Sequence, residues 1–138
     1  TGTMTENQMT VTHVWVNHRL WTVSGTGYEP KGTFLLNGKQ EKIDTSLQQL
    51  LLFGALCNHA ELKKKGRTYM IDGDPTEGAL VVAAAKAGWT KDKIANEFTI
   101  EHEFPFDSTR KMMTVIVKDR SNRRFIVTKG APDMLLER

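Results

Sequence analysis

The sequence is poor in the features that would mark a secreted or membrane-spanning chain. Its 138 residues include one cysteine, Cys57, so no internal disulfide can form and a reducing compartment is expected. No apolar run reaches the roughly 18 residues that a membrane-spanning helix needs. The longest such run, residues 50–57, is much shorter. The hydrophobic content of 39% instead indicates a globular domain with a core.

The sequence also has little net charge. Lys and Arg total 19 and Asp and Glu total 16, which gives a net charge of +3. This excess is too weak to indicate nucleic-acid binding by itself, although it suits a small anionic ligand. The four histidines have no paired spacing and one cysteine is too few for structural zinc, so no metal site is predicted. A G-x-S-x-G nucleophile elbow is absent.

Two glycine-rich phosphate-binding patterns fall short of their motifs. Residues 27–33 have the two glycines of a P-loop but not the Lys that must follow the second glycine. The pair Gly25 and Gly27 lacks the third glycine of a dinucleotide fingerprint. Both patterns therefore indicate a loop, and any nucleotide would have to bind elsewhere.

The first half of the sequence is predicted to begin with strands and continue with a helix. Runs rich in β-branched and aromatic residues predict strands at 11–16, 19–23 and 33–36. A helix capped by Asp44 or Thr45 is expected to extend to about Asn58. A small hairpin should follow, with the basic run 63–66 as its solvated tip.

The second half begins with a strong helix start. Asp74 is the expected N-cap, Pro75 the first helical residue and Glu77 the third, and Gly88 should end this helix. The remaining elements are a short helix at 90–96, strands at 98–104, 112–118 and 124–129, and a final helix opening at 131–133. This order lacks a steady βαβ rhythm, so we predict an α+β fold in which helices flank an antiparallel sheet.

Three segments together offer the chemistry of a nucleotide site. They are residues 74–79, 104–113 and 128–132. They provide a carboxylate at a helix start, aromatic rings beside a loop, and lysines near strand ends. An aromatic face can stack on adenine, a carboxylate can accept its amino hydrogens, and Lys or Arg can bind phosphates.

Each of these residues also has a structural interpretation, which the residues alone leave open. Glu77 occupies the capping-box position and could simply satisfy the helix start. Phe104 and Phe106 have the same parity in an extended segment and could both belong to the core. Lys111 and Lys129 could be ordinary surface lysines, although Gly130 after Lys129 would let a ligand approach the backbone.

In order along the chain, the segments GDPTEGAL, FPFDSTRKMM and TKGAP resemble the nucleotide-binding domain of P-type cation-transporting ATPases. The stretch TENQMTV, with residues 23–30 and 57–58, resembles the calcium-transporting type II pumps, and a bacterial member is expected. The opening Thr1-Gly2-Thr3 resembles the tail of the family motif Asp-Lys-Thr-Gly-Thr, whose aspartate becomes phosphorylated. The resemblance covers most of the chain.

The resemblance implies a role for each candidate residue in binding ATP, which carries Mg²⁺. Phe106 would stack on adenine, and Glu77 would contact the adenine amino group with Thr76 nearby. Lys111 would line the base and phosphate side, and Lys129 would sit at the inner end of the pocket. The resemblance adds three further nucleotide-binding candidates, Arg110, Met113 and Gly130.

The resemblance also implies an organisation. Residues 1–10 would be the end of the phosphorylation motif and a hinge, in which Thr1 and Thr3 lie on the phosphorylation side. Residues 11–138 would be the nucleotide-binding domain, either truncated at its C-terminus or from a compact member of the family. Because the acceptor aspartate and its motif lysine are not in this sequence, no catalytic or metal-binding residue is assigned and the chain alone should be catalytically incomplete.

The implied parent is an enzyme that couples ATP hydrolysis to cation transport. The partners would be ATP and the phosphorylation, actuator and transmembrane domains of the same parent chain, with this part on the cytoplasmic side of the cell membrane. The isolated domain is expected to be a monomer that binds no nucleic acid. Two other functions stay open. One is a ligand-free protein-interaction module using Lys63–Lys65. The other, weaker one is nucleic-acid binding through the same lysines and Arg120, Arg123 and Arg124.

Overall fold

The structure, a computed structural model, describes residues 8–136. The chain divides into two compact units, the first ending at Trp89 and the second beginning at Thr90. Within the described residues, strands alternate with helices, and every strand pairing is antiparallel. The expected α+β class is therefore confirmed. The strands form three separate sheets of four, two and three strands, where the sequence had predicted one.

The four-stranded sheet opens the first unit. Its strands, in both sequence and spatial order, are β1 His13–Val16, β2 Arg19–Val23, β3 Phe34–Leu36 and β4 Lys39–Gln40. Asn17 and His18 join the first two strands with φ of 51° and 61°, the left-handed pair that a tight hairpin turn requires. The sequence did not predict β4, because two polar residues carry no strand pattern.

Two helices and a hairpin complete the first unit. They are α1 Thr45–Leu56, β5 Glu61–Lys65, β6 Thr68–Asp72 and α2 Pro75–Lys86. The predicted tip of the hairpin was wrong: the lysines lie within β5, and Gly66 (φ 65°) with Arg67 forms the turn. Glycine takes this left-handed conformation at no steric cost, so the turn forms at Gly66 and Arg67, the C-terminal end of the expected tip.

The core of the first unit joins the large sheet to both helices. It contains Trp21, Val23, Phe34, Leu47, Leu51, Ala83 and Ala84. Along α1 the buried face includes Leu47, Leu51, Leu52 and Leu56, whereas Leu50 is 40% exposed. The small alanine side chains of α2 let this helix pack closely in the core.

The second unit is a three-stranded sheet with two short helices. Its elements are α3 Lys91–Glu97, β7 Phe98–Phe104, β8 Met112–Asp119, β9 Arg124–Gly130 and α4 Pro132–Leu136, with β8 in the middle of the sheet. Val115 and Val117 of β8 are buried, as the alternation of a half-covered strand requires. The turn from β8 to β9 is closed by Asp119, whose carboxylate accepts the backbone N–H groups of Ser121 and Arg123.

Two features bear on the sequence predictions. Thr1 and Thr3, expected at a hinge, lie outside the described residues. Across residues 8–136, no helix has the length and apolar character needed to cross a bilayer.

Candidate functional site

The start of α2 carries Thr76 and Glu77. Asp74 is the N-cap, as expected, and its carboxylate accepts the backbone N–H of Glu77 at 3.1 Å. Pro75 occupies the first turn, where no backbone donor is needed. Thr76 is exposed and its hydroxyl donates to the sulfur of Met9 at 3.5 Å. Asp74 thus caps the helix, and the half-buried Glu77 occupies the third helical position beside it.

Asn58 fixes the position of this helix start, and sequence reasoning missed that role. Its Nδ2 donates to the backbone carbonyls of Gly54 at 3.0 Å and Glu77 at 2.9 Å. Its Oδ1 accepts the backbone N–H of Ala60 at 2.7 Å. One amide therefore ties the end of α1 to the first turn of α2. The sequence offered one sign of this role, namely a polar amide two residues after the end of α1.

Gly78 allows the first turn of α2 to approach β6 closely. A Cβ at this position would lie only 2.6 Å from Cγ2 of Ile71 and 2.8 Å from its Cγ1. Gly78 is buried, so no open space exists to relieve such a contact. The glycine is required by packing beside Glu77.

In the second unit, the segment between β7 and β8 presents aromatic rings to solvent. Phe104 is 47% exposed and Phe106 is 63% exposed. These values exclude the interpretation that both rings are core. Full burial of such a ring stabilises a fold by about 1.5–3 kcal/mol relative to exposure, so leaving both exposed forgoes much of that gain.

The same segment is closed by hydrogen bonds from two residues. The Arg110 guanidinium donates to the hydroxyl of Thr114 at 2.7 Å and to the carbonyl of Phe104 at 2.9 Å, with a longer contact of 3.4 Å to the carbonyl of Pro105. Asp107 accepts the backbone N–H of Arg110 on its carboxylate and that of Lys111 on its carbonyl. The backbone on both sides of Phe106 is thereby anchored.

The start of β8 and the end of β9 bring four candidates together. Lys111 is exposed and has a φ of 57°, a conformation that non-glycine residues adopt at a cost. In the β8–β9 register Met113 lies opposite Lys129, and Met112 lies opposite Gly130. Met113 is only 3% exposed, which places it among the buried residues, whereas Lys129 is half-buried.

Gly130 has a packing reason to be glycine. A Cβ there would lie 2.7 Å from Cγ of Met112 and 3.1 Å from the carbonyl oxygen of Lys111. The closeness is to the neighbouring strand, so it does not by itself indicate a ligand. Ligand approach at Gly130 stays a prediction.

The candidates are distributed over both units. Thr76 and Glu77 lie in the first unit, and the other six candidates lie in the second, namely Phe106, Arg110, Lys111, Met113, Lys129 and Gly130. Within the second unit, Phe106, Arg110 and Lys111 share one loop, and the remaining three lie at paired strand ends. In the part of the chain that the structure describes, no group of three or more His, Cys, Asp and Glu side chains could hold a metal ion.

Several charged groups have perturbed pKa values, and Lys86 and Glu101 are two of them. Burial lowers the pKa of Lys86, at the end of α2, whose ammonium donates to the carbonyl of Ser24 at 2.9 Å. On the sheet of the second unit, a side-chain hydrogen bond from Arg124 lowers the pKa of Glu101, and the charge of Lys118 at 3.8 Å adds to this. Neither group belongs to the eight candidates.

A family model described as P-type ATPase, cytoplasmic domain N, matches residues 46–138, which include all eight candidates. The chain belongs to this family. The sequence-based identification is therefore confirmed.

Relatives of known name agree with this membership. The "Calcium-transporting ATPase" of Bacillus subtilis is 55% identical over 140 residues, which cover 100% of this chain and 16% of the relative. The "Cation-transporting ATPase pma1" of Synechocystis is 38% identical, with the same two shares of 100% and 16%. The bovine "Calcium-transporting ATPase type 2C member 1" is 32% identical over 99% of this chain and 14% of the relative. The chain thus spans about a sixth of the length of such relatives.

Proposed function

We propose that this chain is the ATP-binding part of a P-type pump that transports a cation, with calcium as the ion. It would bind ATP, accompanied by Mg²⁺, and position the γ-phosphate for transfer to an aspartate elsewhere in the parent chain. Such a role is binding and orientation, with no covalent step on the chain's own residues. Support for calcium comes from relatives that are named as calcium-transporting ATPases.

The observation that carries the proposal is the exposed ring of Phe106 on an anchored loop. A family member that leaves this ring 63% exposed, on the same loop as the exposed Lys111, offers an aromatic face for a base and a cation for a phosphate. Glu77 and Thr76 would contact the adenine amino group. Lys129, Gly130 and Met113 would complete the residues that contact the nucleotide, and Arg110 would belong to the site through the loop that it shares with Phe106.

The parent enzyme would couple this binding to transport. The phosphorylation, actuator and transmembrane domains of the same chain are its expected partners, and this part would face the cytoplasm. Mg²⁺ would be brought by the nucleotide and would neutralise charge on the phosphates. The residues of this chain would then hold the base and align the phosphate chain.

The test is an amide NMR titration of the 138-residue chain with ATP, with and without Mg²⁺. We expect saturable shifts at Glu77, Phe106, Lys111 and Lys129. Phe106→Ala should weaken ATP binding roughly 5- to 150-fold, because stacking of a base on an aromatic ring contributes about 1–3 kcal/mol.

Phe104→Ala is the matched control, because it removes an equally large exposed ring two residues away. It should leave ATP affinity within about twofold, since a substitution outside the contact changes little. Equal losses in the two variants, or no loss in Phe106→Ala, would refute the assignment of the adenine contact. If the folded wild-type chain shows no amide shift changes at millimolar ATP, the ligand-free interaction module would be favoured.

A further inference from the structure

The guanidinium of Arg110 is engaged inside its own loop. It donates to the hydroxyl of Thr114 and to the carbonyl of Phe104, and it extends towards the carbonyl of Pro105. Its Nε lies 3.9 Å from a carboxylate oxygen of Asp107. The side chain is 29% exposed, so much of it is covered by these partners. A planar fork of donors suits this task, and the single ammonium of lysine does not.

These bonds act on the backbone that carries Phe106. The carbonyls held by Arg110 belong to the residues immediately before Phe106, and Asp107, immediately after it, is bonded to Arg110 and Lys111. The ring itself has little cover. The point from which the ring projects is therefore set by its backbone, and hydrogen bonds of Arg110 and Asp107 hold that backbone.

We propose that Arg110 is a positioning residue: it braces the loop so that Phe106 is presented to adenine, and it does not bind the phosphates. This inference rests on the proposed ATP site. It replaces a direct contact between Arg110 and the nucleotide with an action through another residue. A braced loop binds without first paying the entropy of ordering, so the effect on affinity is preorganisation.

The two roles differ in which ligands they affect. If Arg110→Ala lowers the fraction of properly arranged loops to about a tenth, the dissociation constant rises about tenfold for every ligand that uses Phe106. Adenosine, AMP and ATP should then all weaken by the same factor. If Arg110 instead bound the phosphates, Arg110→Ala would weaken ATP by about tenfold or more, would weaken AMP only if the first phosphate is contacted, and would leave adenosine unchanged.

The experiment measures binding of adenosine, AMP and ATP to the 138-residue chain and to three variants by NMR titration. Arg110→Ala should weaken all three ligands equally. Arg110→Lys should not rescue, because lysine keeps the charge but cannot reach three acceptors at once. Thr114→Val, which removes one acceptor at nearly constant shape, should weaken all three ligands equally and by a smaller factor.

Arg120→Ala is the matched control, because it removes the same charge from an exposed turn of the second unit. It should leave all three affinities within about twofold of wild type. A loss in Arg110→Ala that spares adenosine but weakens ATP, with or without AMP, would overturn the proposal and make Arg110 a phosphate ligand. Restoration of ATP binding by Arg110→Lys would do the same.

A second readout needs no nucleotide. The heteronuclear NOE of amides 106–109 should fall in Arg110→Ala and, less, in Thr114→Val, but not in Arg120→Ala. Unchanged loop order in Arg110→Ala would overturn the bracing role even if ATP affinity fell. If wild type binds none of the three ligands, the proposed function fails, while the loop measurement still decides whether Arg110 braces the loop.

Discussion

Asn58 shows how much one amide can organise. Its Nδ2 donates to the carbonyls of Gly54 and Glu77, and its Oδ1 accepts the backbone N–H of Ala60. Asn58→Ala should lower the free energy of unfolding by about 1–3 kcal/mol, because three partly covered backbone groups lose their partner. Chemical denaturation gives this free energy directly.

Two further variants sharpen this test. Asn58→Asp keeps the acceptor for Ala60 but loses the donor, so it should be destabilising as well. Asn96→Ala, at an exposed position of α3, is the control and should change stability by no more than about 0.5 kcal/mol. A stability of Asn58→Asp equal to wild type would show that the bonds to the two carbonyls contribute nothing.

Glu101 makes a prediction about pH. The hydrogen bond from Arg124 is the main cause that lowers its pKa, and the charge of Lys118 contributes less. A carboxylate with a lowered pKa stabilises the folded state above its unfolded pKa of about 4.3 and loses that contribution as the pH falls through the folded value. Carboxyl NMR should therefore show that the pKa of Glu101 rises more in Arg124→Gln than in Lys118→Gln. The opposite order would mean that simple charge, not the hydrogen bond, dominates.

At the scale of elements, the two helices of the first unit each contain a glycine, but only one of these positions lacks space for a side chain. Gly78 faces Ile71 with no room for a Cβ, whereas a Cβ at Gly54 would lie 3.7 Å from Leu80, an ordinary contact. Alanine favours a helix over glycine by about 1 kcal/mol. Gly54→Ala should therefore stabilise the chain, while Gly78→Ala should destabilise it by about 1–3 kcal/mol through overpacking.

The double variant tests the cause. In an Ile71→Ala background the space beside position 78 is open, so Gly78→Ala should there become stabilising and the two changes should be strongly non-additive. Denaturation of the four species of this cycle measures the coupling. Additive effects would assign the cost at position 78 to the helix backbone and not to Ile71.

Most elements could be predicted because their signals are local. Asp74 and Pro75 start α2 by chemistry confined to one turn, and Asp44 starts α1 in the same way. Runs of β-branched residues predicted the long strands. The lysine hairpin was misplaced because strand pairing outweighed the weak strand propensity of Lys63–Lys65 once Gly66 supplied the turn.

At the scale of the whole molecule, the fold class and family followed from the sequence, whereas two levels of organisation did not. Separation into three sheets depends on pairings that no single segment encodes. The division into two units is likewise a property of contacts distant in sequence. Both arise from tertiary packing, which propensity and pattern do not specify.

The candidate site was predictable in residue type but less so in role. Phe106 and Lys111 are exposed, as ligand-binding residues should be. Arg110 is held by backbone carbonyls, and Gly130 is packed against the side chain of Met112. Neither kind of contact can be recognised from the sequence. The resemblance predicts which residues bind the nucleotide, and the structure gives a packing or hydrogen-bonding reason for two of them.

The division at Trp89 has a spectroscopic consequence. All three tryptophans and both tyrosines precede Thr90, while the second unit has phenylalanine as its only aromatic residue besides histidine. Indole fluorescence and near-ultraviolet absorbance therefore report on the first unit. A ligand stacked on Phe106 has no indole in its own unit to quench. A single tryptophan placed by Phe125→Trp would give the second unit an optical signal of its own.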